Sequence, residues 1–191
     1  MKQIYTFILL ILFSQIAFAE SAIENPVNAD IVVAANGSGD FTSLQEAINA
    51  VPANSERRTV VYIKRGTYNT EKLIVAGDKI NLTLIGESRE ETVISYHIYD
   101  CSQGKCPVED AALWTGGNIR TSATLTIHGD GFRAENLTIQ NTAGPVGQAQ
   151  AVTIRADKCV FINVDFYSYQ DTMYFWSDAK RIDIRIIHSG D

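Results

Sequence analysis

Gln150 and Gln170 stand 20 residues apart, and Asp171 directly follows the second of them. Two carboxamide donors converging on one point are what a tetrahedral oxyanion requires, and each such donor is worth about 3 kcal/mol in a transition state. A carboxylic acid beside them can act as a general acid where aromatic surroundings keep it protonated. Tyr167, Tyr169, Tyr174, Phe175 and Trp176 are all close in sequence to Asp171. Acyl transfer is the chemistry that such a set suits. Adjacent residues of a regular strand face opposite ways, however, so Gln170 and Asp171 can share a site only where the strand bends or bulges. The plainer alternative is a turn with a solvated carboxylate, and an aromatic run from Phe166 to Trp176 that packs a core or stacks sugar rings. His97, His128 and His188 are far apart in sequence and read as structural. Ser168, Ser177 and Ser189 lack the glycine-flanked context of a nucleophile elbow. Neither a glycine-rich phosphate loop nor a clustered Asp/Asn calcium motif is present.

An internal repeat indicates what positions these residues. Leu125-Thr126-Ile127 through Asn136-Leu137-Thr138-Ile139 aligns without gaps, 27 residues on, with Val152-Thr153-Ile154 through Asn163-Val164-Asp165-Phe166. Asp130 meets Asp157 and Asn136 meets Asn163. Leu82–Ile85 followed by Thr92–Ile94 reads as a weaker, shortened copy. Repeats of this size, made of short Val/Ile/Thr-rich runs and turns, argue for a solenoid whose coils stack. Strands are expected at Val60–Ile63, Lys79–Ile85, Thr92–Tyr96, Ala123–Ile127, Asn136–Ile139, Ala151–Ile154 and Val160–Phe166. One helix is expected over Phe41–Val51: Leu44, Ala47, Ile48 and Val51 form an apolar stripe, and Pro52 stops it. Its capping box pairs either Thr42 with Gln45 or Ser43 with Glu46. The reading is an all-β right-handed parallel β-helix with one short N-terminal helix; a β-sandwich is the competing architecture. On neighbouring rungs the two glutamines would lie about 5 Å apart.

The 191 residues carry a formal net charge of -6, with 46% apolar and 20% charged side chains. That is the composition of one globular domain, and the acidic balance leaves no basic footprint for a nucleic-acid partner. Lys2, the apolar stretch Ile4–Phe18 and the small-x-small Ala17-Phe18-Ala19 read as a secretory signal peptide over 1–19, ahead of a domain over 20–191. A transmembrane anchor is the rival, but the stretch is shorter than the roughly 20 residues a span needs. The expected location is therefore secreted, extracellular or periplasmic, with no membrane partner once the leader is cleaved. Export permits disulfides. Cys101 and Cys106 could bridge locally, although three cysteines leave the pairing open, and a zinc site there is the rival reading. Cys159 reads as a small buried residue. Asn36, Asn81 and Asn136 open N-x-Ser/Thr sequons.

Several segments in order resemble the pectin methylesterase (pectinesterase) family. Gly37-Ser38-Gly39-Asp40-Phe41 with the following helix resembles its opening. Gly131-Phe132-Arg133-Ala134-Glu135-Asn136-Leu137-Thr138-Ile139-Gln140-Asn141-Thr142-Ala143-Gly144-Pro145 is similar to its central strand and turn. Gln150-Ala151-Val152 and Gln170-Asp171-Thr172-Met173-Tyr174 match two further family motifs. The resemblance implies a monomeric parallel β-helix without a cofactor or metal, acting on pectin: methyl-esterified polygalacturonate is hydrolysed to pectate and methanol. It implies an Asp nucleophile that forms an acyl-enzyme, and a second Asp that protonates methanol and then activates water. By position Asp171 is that proton donor, Gln150 and Gln170 hold the oxyanion, and Tyr169 and Tyr174 contact sugar. The implied nucleophile belongs to a Gly-x-x-Asp-aromatic motif about one coil after Asp171. The sequence reaches Asp191 without completing it. The nucleophile coil is therefore expected to be missing, through truncation at the C-terminus, with little or no activity left. The family's downstream Arg has no counterpart, and Glu71 lies one place later than usual after Gly66-Thr67-Tyr68. A non-catalytic carbohydrate-binding β-helix is the alternative function.

Overall fold

The computed structural model describes residues 27–100, 122–176 and 183–187. The expected leader, the Cys101–Cys106 loop, His188 and Asp191 lie outside them. Twelve short strands and one helix are present among the described residues. All the strand pairings are parallel. One sheet stacks β1 (Ile31–Val33), β2 (Thr59–Ile63), β5 (Leu82–Gly86), β8 (Arg133–Asn141), β10 (Cys159–Tyr167) and β12 (Ile184–Ile187), and β3 (Gly66–Tyr68) joins it through β6 (Thr92–Tyr96). The other stacks β4 (Leu73–Val75), β7 (Ala123–Ile127), β9 (Gln150–Ile154) and β11 (Met173–Phe175). This is a parallel β-helix.

The sequence repeat is the strand register. Leu125 pairs with Val152 and Ile127 with Ile154, while Leu137 pairs with Val164 and Thr138 with Asp165. Like residues therefore stack on like, and columns such as Val75–Ile127–Ile154 and Leu84–Ala134–Phe161 are wholly buried. Fully burying each Val, Leu, Ile or Phe contributes roughly 1.5–3 kcal/mol. Phe132, Phe161 and Phe166 add a series of tilted and edge-on ring contacts, with centroids 6.0 and 5.3 Å apart.

The corners within β8 and β10 are set by asparagine. Asn136 and Asn163 interrupt β8 and β10 with φ of 54°, a left-handed conformation that Asn tolerates because its short side chain bonds locally. Asn163 Nδ2 donates to Asn136 Oδ1 at 2.8 Å, and Asn136 Nδ2 donates to Gly86 O at 3.1 Å. Arg89 Nη1 donates to Asn163 Oδ1 at 3.0 Å. A guanidinium can only donate, so Arg89 fixes the direction of the whole ladder. A second column does the same with carboxylates: Asp157 N donates to Asp130 Oδ1, and Asp183 N to Asp157 Oδ1, at 2.8 and 3.0 Å.

The earlier copy of the repeat has a different register from the expected one. Leu82–Ile85 does not stack under β7, whose lower neighbour is Leu73–Val75 of β4. Instead β5 lies beside the first half of β8 and β6 beside its second half. Residues 82–96 are thus a single copy of β8, opened at its corner by Glu87–Glu91. The helix, α1, is shorter than the apolar stripe suggests, Leu44–Ala50. Phe41 is drawn into a bridge with Val33, and Ser43 is the cap, its Oγ accepting from Glu46 N at 3.0 Å. Glu71 supports the same turn, accepting from Ser43 Oγ at 2.6 Å and from Gln45 N at 3.3 Å.

Candidate active site

Gln150 opens β9 and pairs with Ala123 of β7. Residues 168–172 wrap around the start of the same strand. Ala149 and Gln170 form an isolated antiparallel bridge, with Ala149 N donating to Gln170 O at 3.3 Å. Ser168 Oγ donates to Ala149 O, and Ala151 N donates to Thr172 O at 3.0 Å. The backbones bearing the two glutamines are therefore in contact one coil apart, as the spacing suggests. Asp171 answers the alternation problem. Its φ is 56°, so the backbone turns sharply between the Gln170 bridge and β11, and the two residues are not bound to opposite faces of a strand.

The environments of these groups differ. Gln170, Asp171 and Tyr169 are exposed, Tyr169 at 70%, while Tyr174 is half-buried in β11. Gln150 is wholly buried. Its Oε1 accepts from Ser122 Oγ at 2.7 Å. Its backbone carbonyl accepts from Asn141 Nδ2 at 3.0 Å, and that amide also donates to Ile98 O at 2.7 Å. The two glutamines therefore differ in the structure, Gln170 exposed to solvent and Gln150 buried.

Ser122 and Asn141 do not stand out in the sequence. Both sit at strand ends beside polar neighbours, and a buried Gln must find partners for its carboxamide; that requirement is the one signal that points to them. The aromatic platform is partly present: Tyr167 and Phe175 are 57% and 47% exposed. Trp176 packs under the Arg155 guanidinium, 4.1 Å from the ring centroid. Cys159 is buried and free, and burial pushes its thiol up to about 12. His128 is half-buried, which lowers its pKa, and the Arg155 charge adds to that. No cluster of three or more His, Cys, Asp or Glu side chains able to hold a metal ion occurs among the described residues. No helix among them is long and apolar enough to cross a membrane.

The pectinesterase family model matches residues 30–182. Pectinesterase 4 of Arabidopsis thaliana is 38% identical over 149 residues, which cover 78% of this chain and 23% of that protein. Pectinesterase 1 of Solanum lycopersicum is 40% identical over 153 residues, 80% of this chain and 26% of that one. Among solved structures, the pectin methylesterase from carrot superposes with a TM-score of 0.68 at 32% identity, covering 86% of this chain and 48% of its own. A pectin methylesterase D178A mutant in complex with a hexasaccharide gives 0.62 at 28% identity, covering 85% and 50%. The shared fold is a right-handed parallel β-helix. This chain spans about a quarter of the length of those curated relatives and about half of those solved chains.

Proposed function

The chain belongs to the pectinesterase family, and from that premise we propose that it carries the oxyanion and proton-donor part of an esterase site for methyl-esterified polygalacturonate. Gln150 and Gln170 donate to the oxygen on which charge develops as the ester carbonyl becomes tetrahedral. Asp171 protonates the departing methanol and later takes a proton from the water that releases the acid. Tyr169 and Tyr174 offer faces for the sugar rings. The attacking carboxylate belongs, by the same reading, one coil beyond Asp171 and outside the described residues. Export follows from the leader over 1–19.

The observation that carries this reading is the Ala149–Gln170 bridge, which joins the two glutamine-bearing segments and ends in the left-handed Asp171. Calorimetric titration with a methyl-esterified hexagalacturonate tests the substrate class. Binding weakened about fivefold or more by Tyr174→Ala is expected from the loss of one ring-stacking contact of roughly 1 kcal/mol. No binding at millimolar ligand would remove the assignment. Methanol release tests the chemistry. Whatever release is measured should fall about a hundredfold in Gln170→Ala and in Asp171→Asn.

A further inference from the structure

We propose that Asn36 carries an N-linked glycan in the exported protein, and that the sequons at Asn81 and Asn136 stay bare. The inference goes beyond the esterase reading and rests on the leader over 1–19, which takes the chain past a membrane-bound oligosaccharide transferase. The co-reactant is an oligosaccharide carried on a lipid diphosphate. A bond forms between Asn36 Nδ2 and the C1 atom of the first sugar as the bond from C1 to the phosphate oxygen breaks. The lipid diphosphate leaves with the bonding electrons, and Nδ2 gives up one proton to the transferase. A glycan is bulky and belongs at the surface. The transfer precedes packing of the chain, so the fold decides which occupied site the secreted protein can keep.

Asn36 lies in the turn after β1, and Asn36, Gly37 and Ser38 are all exposed. Ser38 N donates to Asn36 Oδ1 at 3.0 Å. A backbone N–H can only donate, so the atom facing it is the carbonyl oxygen and Nδ2 is the opposite end of the amide. Ser38 Oγ donates to the same Oδ1 at 2.7 Å, and Nδ2 has no hydrogen-bond partner among the described residues. Asn81 and Asn136 are the reverse. Both are half-buried at left-handed corners, and their Nδ2 atoms donate to Ser55 O and Gly86 O at 3.0 and 3.1 Å. Their sequon hydroxyls are engaged elsewhere: Thr83 Oγ1 accepts from Arg58 Nη1 at 2.9 Å, and Thr138 Oγ1 donates to Arg89 O at 2.7 Å. A sugar on Asn136 would have to enter a spacing of about 4.8 Å between coils, where Gly86 and Asn163 already bond to it. Asn36 also lies far from the candidate active site. From β1 to β10, the strand that leads into residues 168–172, is four steps across the sheet, about 19 Å.

The test expresses the full chain with its own leader in cultured mammalian cells. The secreted protein is treated with a peptide N-glycosidase in 18O-labelled water, which leaves a labelled aspartate wherever a glycan was attached, and its peptides are mapped by mass. Label is expected at residue 36, with unmodified asparagine at 81 and 136. Ser38→Ala should lose the mass of one whole glycan, and Ser38→Thr should keep it, because a hydroxyl at that position completes the sequon. Secreted protein without label at residue 36, or with label at 81 or 136, would overturn the proposal. Retention of the chain in the cytosol would instead sink the leader reading. The chain from Glu20 onward, placed behind a secretory leader of the host, then decides Asn36 by the same label.

Discussion

Replacing Asn163 separates two contributions that the asparagine corner combines. The side chain donates to Asn136 Oδ1 and accepts from the Arg89 guanidinium. A neutral hydrogen bond contributes about 1 kcal/mol net and one to a charged group about 2 kcal/mol. Its φ of 54° adds a conformational cost of about 1 kcal/mol for a residue that does not favour the left-handed region. Asn163→Ala should therefore lose about 4 kcal/mol, enough to consume much of a domain's usual 5–15 kcal/mol. Asn163→Gly loses the same hydrogen bonds but not the backbone preference, and should cost about 1 kcal/mol less than Ala. Urea unfolding followed by far-ultraviolet circular dichroism measures both. If Ala and Gly cost the same, or if either costs under about 1 kcal/mol, the corner does not work as described.

Lys79 Nζ donates to Asn49 O and Val51 O at 2.9 and 2.7 Å, supplying from a neighbouring coil the cation that the end of α1 lacks. Lys79→Met should cost about 1–2 kcal/mol and speed amide exchange along Leu44–Ala50 before other segments. Gly131 has φ +72°, and a Cβ there would sit 2.7 Å from Asn81 Oδ1, whereas Gly37 has φ +80° with open space around it. Thermal melts should show Gly131→Ala as the more damaging change, Gly37→Ala losing only the roughly 1 kcal/mol of backbone strain. Cys159 gives a pH signature. Its folded pKa is raised to about 12, so the stability linked to the buried thiol is fully present below the unfolded value near 9 and declines as pH rises from there to about 12. Cys159→Ala should remove that alkaline loss, and a thiol reagent at about pH 8, read at Cys159 by peptide mass, should label that residue of the native wild type only as fast as the protein opens.

The coil is legible because stacking demands it. Residues one turn apart must be alike for like to sit on like, and the gapless 27-residue offset from Leu125 to Val152 is the register itself. The asparagine and aspartate columns come with it, since Asn136 and Asp130 recur at the same offset. Legibility fails where a coil is irregular. Leu73–Val75 is too short to carry a period, so β4 gives no signal and Leu82–Ile85 reads as though it held that place. At the candidate site the residue types can be read, but not their exposure. Gln150 and Gln170 look equivalent in sequence, and only the packing around Ser122 and Asn141 makes one a sheltered group and the other a solvent-facing one. The bend that frees Asp171 from strand alternation is a requirement visible in the sequence, and a left-handed residue meets it. Glu71 stands out in sequence only by its displaced position, yet it holds the first turn of α1.

The most direct measurement is a crystal structure of the protein soaked with a methyl-esterified oligogalacturonate. One ester carbonyl oxygen should lie about 3 Å from the Nε2 atoms of both Gln150 and Gln170, with the Asp171 carboxyl facing the methoxy oxygen. An oligosaccharide ordered on a surface remote from residues 149–152 and 168–174 would contradict the account.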